Sequence, residues 1–128
     1  MQVSELMLRD VTLVAKEDSV QVAAQAIADL DSRFILVGTD DRVTGILTIR
    51  DILIRLVAPG LDPAATPVSQ VMSSSLFTCT EQEAAKIVAT RMAEHGVEQM
   101  PVLDAGGGLV GVIIRRVAET LDPSDATR

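Results

Sequence analysis

The sequence contains no tryptophan and no tyrosine, and only two phenylalanines stand among its 128 residues. A ring-shaped ligand is therefore expected to pack between aliphatic side chains, because there is no aromatic platform for stacking. Cysteine occurs once, at Cys79, which excludes an intrachain disulfide and suits a reducing cytoplasm. No apolar run approaches the roughly 18 residues of a membrane span, and the first residues lack the basic and apolar regions of a signal peptide. We therefore expect a soluble, cytoplasmic protein.

Basic residues are also scarce, since 11 Lys and Arg stand against 18 Asp and Glu and give a net charge of −7. This balance argues against nucleic acid, where a basic surface supplies most of the affinity, and against an anionic membrane surface. Hydrophobic residues make up 48% of the chain and suffice for a core. The length fits one compact unit or two small halves.

The chain contains an internal repeat. The pattern Val-Ser-x-x-Met occurs at Val3–Met7 and again at Val68–Met72, an offset of 65 residues. Each copy leads into a short extended segment, an acidic helix start, an amphipathic helix, two strands joined by turn residues, and a closing helix. Helices are predicted at residues 20–30, 52–57, 84–95 and 117–121, and strands at residues 11–15, 34–37, 43–49, 76–80, 99–103 and 109–114.

These elements predict an α/β (α+β) fold of two β-α-β-β-α repeats, related by a pseudo-twofold axis and packed through their sheets. The first repeat is predicted at residues 1–60 and the second at 68–122. Residues 61–67, which are rich in Pro, form the linker, and residues 123–128 form a frayed polar tail.

The stretch Gly45–Asp51 is where a buried strand turns directly into a helix. Thr48 presents a hydroxyl there, and Asp51 stands in the first helical turn. One interpretation is that Asp51 only caps the helix and that Thr48 is simply a good strand former. The other is that the two side chains bind a small polar ligand at the edge of the sheet.

The chain resembles a tandem pair of CBS domains, the cystathionine-β-synthase-type regulatory module, of the small stand-alone bacterial type. The resemblance covers Val3 to about Leu121. It rests on the two Val-Ser-x-x-Met patterns, on the segment Glu94–Asp104 and on Gly45–Asp51. It implies an adenosine nucleotide, AMP, ADP or ATP, in the cleft between the repeats as a regulatory ligand, with no cofactor required.

In such modules the aspartate of the pattern Gly-x-x-Thr-x-x-Asp accepts hydrogen bonds from the ribose hydroxyls, and the threonine contacts phosphate. The resemblance therefore implies these roles for Asp51 and Thr48. A carboxylate matches the two donors of a ribose diol. The implied adenine wall comprises Ile46, Ile35 and one of Val11, Thr12 and Leu13.

Arg33 matches a position that supplies a phosphate-binding cation in some members, although a solvated arginine at the end of a strand is the alternative. The second repeat departs from the pattern, because Ile114 stands where Thr48 does and Val117 where Asp51 does. Glu98 also places a negative charge near that position. At most one well-formed nucleotide site per chain is expected.

The remaining chemistry predicts a regulatory module without catalysis. His95 is expected to stabilise a helix end, and Cys79 to be a small core residue. One His and one Cys cannot make a structural zinc site within a single chain. The alternatives are a ligand-free dimeric scaffold and an unrecognised enzyme. We expect a homodimer through apolar helical faces and a target protein of unknown identity. The faces are predicted at Ile52, Leu53, Leu56 and Val57 and at Val88 and Met92.

Overall fold

The computed structural model describes residues 1–121, which fall into two compact units. The first unit comprises Thr12–Leu76, and the second comprises Met1–Val11 together with the chain from Phe77 onward. Each unit contains one three-stranded sheet and helices. The predicted mixed α/β fold is thereby confirmed. The predicted frayed tail, residues 123–128, lies outside the described residues.

The sheet of the first unit is built from β1 (Leu13–Val14), β2 (Phe34–Thr39) and β3 (Arg42–Thr48), in the order β1-β2-β3. Strand β1 runs parallel to β2, and β3 runs antiparallel to β2. The β2–β3 hairpin turns at Asp40, which adopts a φ of 56°, a left-handed conformation that Asp tolerates better than most residues.

Three helices accompany this sheet: α2 (Val20–Asp29), α3 (Ile49–Ile52) and α4 (Val68–Val71). Ser19 caps α2, because its hydroxyl accepts a hydrogen bond of 3.2 Å from the backbone N–H of Val22. Helix α3 continues directly into a π-helix, Leu53–Val57. The helix predicted at residues 52–57 therefore begins earlier, at Ile49, and widens in its second half.

The core of the first unit lies between its helices and one face of the sheet. Helix α2 contributes Val20, Ala23 and Ile27, which recur at helical spacing and are buried. The core consists of Val14, Val20, Ala23, Ile27, Ile35, Val37, Leu47, Leu56, Val68 and Val71.

The second unit repeats this plan. Its sheet has the order β4-β5-β6, with β4 (Cys79–Thr80) parallel to β5 (Gln99–Leu103) and β6 (Leu109–Ile114) antiparallel to β5. Its helices are α1 (Val3–Leu6), α5 (Ala85–His95) and α6 (Arg115–Leu121). The buried core consists of Val3, Met7, Cys79, Ala85, Val88, Ala89, Met92, Met100, Val102, Ile113 and Ala118.

The two short lead-in helices are exchanged between the repeats of the sequence. Helix α4 begins the second repeat but packs in the first unit, where the N–H of Val68 donates to the carbonyl of Asp18 over 2.8 Å. Helix α1 begins the first repeat but packs in the second unit, where the N–H of Val3 donates to the carbonyl of Glu83 over 2.9 Å. Each compact unit therefore combines segments of both sequence repeats.

The exposed apolar side chains are not all where the sequence predicts them. The prediction of an exposed face at Val88 and Met92 is wrong, because α5 turns both completely into the core of the second unit. The prediction is also wrong for Leu56, which the π-helix turns into the core, whereas Leu53 and Val57 are 55% and 58% exposed. None of the helices within residues 1–121 has both the length and the apolar composition that a bilayer span requires.

Candidate functional site

Thr48 and Asp51 form a reciprocal capping box at the start of α3. The N–H of Asp51 donates to Thr48 Oγ1 over 3.0 Å, and the N–H of Thr48 donates to Asp51 Oδ2 over 3.0 Å. Two backbone donors that the helix leaves unpaired are satisfied in this way. Asp51 therefore takes part in capping α3, whose N-cap residue is Thr48.

The cap does not use the full hydrogen-bonding capacity of these two side chains. Within residues 1–121, the hydrogen bonds of the site engage the Thr48 hydroxyl as an acceptor and Asp51 Oδ2. They employ neither the O–H of Thr48 as a donor nor the second carboxylate oxygen of Asp51. Both side chains are only half-buried. A donor and an acceptor therefore remain at the same place, where solvent or a ligand can reach them.

The capping box adjoins the face of the sheet that is turned away from the core of the first unit. Thr48 lies opposite Phe34, and Ile46 lies opposite Leu36, in the antiparallel register of β2 and β3. Directly opposed residues share a face, and side chains alternate between faces along each strand. Leu13 joins the same face, because it is the parallel partner of Leu36.

The structure does not bring Ile35 to this face. Ile35 pairs with Leu47, is 2% exposed and belongs to the core on the other side of the sheet. The run Phe34-Ile35-Leu36-Val37 is apolar at every position, so the sequence shows no alternation from which the face of each residue follows. Sequence reasoning consequently missed Phe34 and Leu36, which stand opposite Thr48 and Ile46.

Arg33 is held next to the capping box by its backbone. Its carbonyl accepts a hydrogen bond of 3.1 Å from the N–H of Ile49, the residue that follows Thr48. The Arg33 side chain is exposed, and within residues 1–121 it makes no ion pair. Thr12 is also exposed and directly precedes β1. Among the three alternatives for the first wall residue, the strand register assigns Leu13 to the face of Ile46.

Ile46 is fixed in place by a close backbone contact that Gly45 permits. Ile46 and Ser73 exchange two N–H···O hydrogen bonds of 2.9 Å each. A Cβ on Gly45 would lie 2.5 Å from the sulfur of Met72 and 3.1 Å from the carbonyl oxygen of Ser73, so the absence of a side chain permits this close approach. Arg55 of the π-helix holds the same segment, donating from Nη1 to the carbonyls of Val71 and Met72 over 3.2 and 3.0 Å.

The matching position of the second unit has different chemistry. Ile114, at the end of β6, lies opposite Gln99, as Thr48 lies opposite Phe34. The N–H of Arg115 donates to the carbonyl of Glu98 over 2.9 Å, which is the counterpart of the Ile49–Arg33 bond. Ile114 and Val117 offer neither a hydroxyl nor a carboxylate there.

An ion pair occupies the charged positions beside Ile114. The side chain of Arg115 pairs with that of Glu98 and lies 3.8 Å from the carboxylate of Glu119. The cation is thus balanced by two carboxylates, whereas Arg33 in the first unit is exposed to solvent. Beside the capping box of the first unit, a phosphate group would meet the positive charge of Arg33. At the matching place in the second unit, the charge of Arg115 is already balanced by carboxylates.

Cys79 and His95 do not form a reactive pair. Cys79 is 3% exposed, and burial, together with the charge of Glu83, raises the pKa of its thiol to about 12. His95 is exposed in the last turn of α5 and stacks on Phe77 with ring centroids 4.2 Å apart. In the part of the chain that the structure describes, no three His, Cys, Asp or Glu side chains are grouped so that they could hold a metal ion.

Comparisons with known proteins converge on one family. The family model "CBS domain" matches residues 3–58 and 68–116. Hypoxic response protein 1 of Mycobacterium tuberculosis is 31% identical over 110 residues, which are 85% of this chain and 76% of that protein. The CBS domain-containing protein CBSCBSPB3 of Arabidopsis thaliana is 34% identical over 80% of this chain, which spans only 18% of that protein. Among solved structures, a CBS-domain protein from Burkholderia ambifaria superposes with a TM-score of 0.87 at 26% identity, covering 98% of this chain and 96% of that chain.

Proposed function

This chain belongs to the CBS domain family, and from that premise we propose that it is a ligand-sensing regulatory module whose first unit binds an adenosine nucleotide. AMP, ADP and ATP are the candidate ligands, and the module acts on a partner protein in the cytoplasm. The observation that carries the proposal is the Thr48–Asp51 capping box, which keeps a donor and a carboxylate oxygen available beside an apolar sheet face.

The polar part of a nucleotide fits the unused capacity of the capping box. The carboxylate of Asp51 accepts hydrogen bonds from the ribose hydroxyls while Oδ2 still accepts from the N–H of Thr48. The O–H of Thr48 donates to a phosphate oxygen. Arg33, whose backbone adjoins α3, supplies a cation for the phosphate group. Charge-assisted hydrogen bonds of this kind are worth about 1.5–3 kcal/mol each.

The apolar part of the nucleotide lies along the sheet face next to Thr48. Ile46 and Leu13, which are partly exposed, provide its aliphatic surface, whereas Leu36 on the same face is fully buried. Ile35, which the resemblance suggests as part of this wall, lies in the core on the other side of the sheet. Because the second unit has Ile114 and Val117 in place of Thr48 and Asp51, one nucleotide per chain is expected.

The proposed module regulates and does not catalyse. Its one thiol is buried and protonated at neutral pH, and its one histidine stacks on Phe77 away from any carboxylate partner that the structure records. A ligand can shift the conformational equilibrium of the protein only by its differential affinity for the two states. Asp51 is suited to this role because it is both a ligand-binding group and part of the cap that starts α3.

The helix that begins at this cap also carries the proposed dimer surface. Ile49, Leu53, Ile54 and Val57 are 44–58% exposed on α3 and the π-helix. The positions that match the first three in the second unit are Arg115, Glu119 and Thr120, which are polar. The apolar surface that can cover these four residues is therefore the same surface on a second copy of the chain. The two copies would form a symmetric contact in which each apolar patch covers the other.

Ligand binding is tested by thermal unfolding with AMP, ADP, ATP and GTP. Adenosine nucleotides should raise the melting temperature, with a stabilisation of about 2.7 kcal/mol at a hundredfold excess over the dissociation constant. GTP should raise it less. The absorbance ratio at 260 and 280 nm gives a second readout, because a protein without Trp and Tyr contributes little background. If no adenosine compound shifts the transition at millimolar concentration, the proposal fails.

The second candidate function is a ligand-free dimeric scaffold. It is favoured by the capping box itself, which already gives Thr48 and Asp51 a structural role. The scaffold predicts a dimer in sedimentation experiments and no response to nucleotides. In both cases Leu53→Asp should weaken the dimer, whereas Thr120→Asp in the second unit should not. A monomeric mass for the wild-type protein at micromolar concentration would exclude the dimer.

A further inference from the structure

We infer that Phe34 is a specificity-determining residue that contacts the ring of the bound ligand. This inference rests on the proposed function and adds an aromatic contact to it. Composition alone leads to the opposite expectation, because the chain has only two phenylalanines and no other aromatic residue except His95. The position of Phe34 in the sheet changes that expectation.

The register of β2 and β3 places Phe34 beside the capping box. Phe34 is the direct cross-strand partner of Thr48. Opposed side chains in an antiparallel pair have Cβ atoms about 4.5–5.5 Å apart, and an aromatic ring also reaches the diagonal neighbour. Here the diagonal neighbour on the same face is Ile46. Phe34 therefore lies next to both the polar and the apolar residues of the proposed site.

Core packing does not account for Phe34. The side chain is half-buried and belongs neither to the buried core of the first unit nor to the partly buried residues packed against it. Its backbone is nevertheless held firmly, because the Ser32 hydroxyl donates to its carbonyl over 2.9 Å and accepts from its N–H over 3.3 Å. The structure thus fixes the backbone of the one aromatic residue of this unit at a partly open position.

The second unit differs at both members of the same pair. Gln99 replaces the aromatic ring and Ile114 replaces the hydroxyl. The unit with the hydroxyl and the carboxylate is therefore also the unit with the ring. A ring beside a hydroxyl and a carboxylate suits a ligand that joins a planar aromatic base to a ribose diol, because the base gains a stacking or edge contact that aliphatic residues cannot supply.

Fluorine NMR tests the inference on the intact protein. Incorporation of 4-fluorophenylalanine gives two resonances, from Phe34 and Phe77, which Phe34→Leu and Phe77→Leu assign. AMP and adenosine should shift the Phe34 resonance and leave that of Phe77, in the second unit, unchanged. Ribose 5-phosphate, which has the diol and the phosphate but no base, should move the Phe34 resonance much less than AMP does.

Calorimetric titration provides the independent readout. Phe34→Ala should weaken AMP binding roughly five- to a hundredfold, as expected for the loss of one base–aromatic contact. Phe34→Tyr, which keeps the ring, should retain most of the affinity, and Phe77→Leu should retain all of it. Phe34→Leu, which keeps apolar volume without a ring, should lose affinity while it keeps its melting temperature.

Failure of the inference is distinguishable from failure of the proposed function. If AMP stabilises the protein while the Phe34 resonance stays in place and Phe34→Leu binds normally, the ring contact is refuted and the nucleotide site stands. If Phe34→Ala binds AMP more tightly, Phe34 obstructs the site and the inference is also wrong. If no adenosine compound alters either the melting temperature or the spectrum, both are overturned.

Discussion

The two units share one architecture and differ at one edge of the sheet. Both have a parallel and an antiparallel strand pair in the same order, and both place a helix directly after the last strand. At that junction the first unit has Thr48 and Asp51, and the second has Ile114 and Val117. The comparison shows that the fold does not need the hydroxyl and the carboxylate, because the second unit forms the same strand–helix junction without them.

The strongest test of the shared architecture is a matched pair of core substitutions. Ile27 on α2 and Met92 on α5 are separated by the repeat offset, and both are buried. Each substitution to Ala should lower the free energy of unfolding by about 2–5 kcal/mol, because it leaves a cavity. Chemical denaturation followed by circular dichroism provides the measurement.

The controls occupy the next matched pair, Val22 and Ile87, which are 53% and 64% exposed. Their substitution by Ala should change the free energy of unfolding by about 0.5 kcal/mol or less. A loss at Ile87 as large as that at Met92 would contradict the orientation of α5.

The difference between the units is tested most directly at Asp51 and Val117. Asp51→Ala should lower the affinity for an adenosine nucleotide roughly ten- to a hundredfold, because a charge-assisted interaction of about 1.5–3 kcal/mol is lost. Loss of the cap should cost only about 1 kcal/mol of stability. Val117→Ala should leave binding nearly unchanged. Equal losses in calorimetric titration, or two nucleotides per chain, would refute the assignment of the site to the first unit.

Two matched glycines sharpen the comparison of the sheets. A Cβ on Gly111 would meet the backbone carbonyl oxygen of Leu8 at 2.6 Å, whereas a Cβ on Gly45 meets the flexible end of Met72 first. Gly111→Ala should therefore cost about 1–3 kcal/mol of stability. Gly45→Ala should cost less, since the Met72 side chain can move aside. Thermal or chemical denaturation of the two variants provides the measurement. A larger loss of stability for Gly45→Ala than for Gly111→Ala would contradict the close approach of Leu8 to β6.

The smallest expected effect concerns pH and is confined to the second unit. Cys79 has a pKa raised by burial from 9.0 to about 12, and the matching residue in the first unit is Val14. Above pH 9 the unfolded chain releases the thiol proton while the folded protein retains it. The free energy of unfolding should therefore fall by about 1.4 kcal/mol per pH unit through this group.

Cys79→Val is the matched control for this pH dependence. It should remove that part of the slope in denaturation experiments between pH 8 and 10. An unchanged slope would mean that the thiol titrates in the folded protein as it does in the unfolded chain.

The sequence predicts the elements well because their signals are local. The turn residues, the amphipathic spacing in α2 and the Thr48–Asp51 spacing each lie within a few positions of one another. Which face of the sheet each residue of β2 occupies cannot be predicted from neighbouring positions, because four consecutive apolar residues hide the alternation. Only the pairing with β3 separates Ile35 from Phe34 and Leu36. The exchange of α1 and α4 depends on partners far along the chain, which periodicity does not encode.

That exchange has a consequence for the order in which the protein is completed during synthesis. Residues 12–76 make up the first unit, so its segments are all present once Leu76 has been made. Helix α1 is synthesised before the first unit but has its hydrogen-bond partners at Glu81 and Glu83. It must wait unpaired until these residues follow, and closing so long a loop slows folding. The segments of the first unit, which carries the proposed site, are therefore all present before helix α1 has its hydrogen-bond partners.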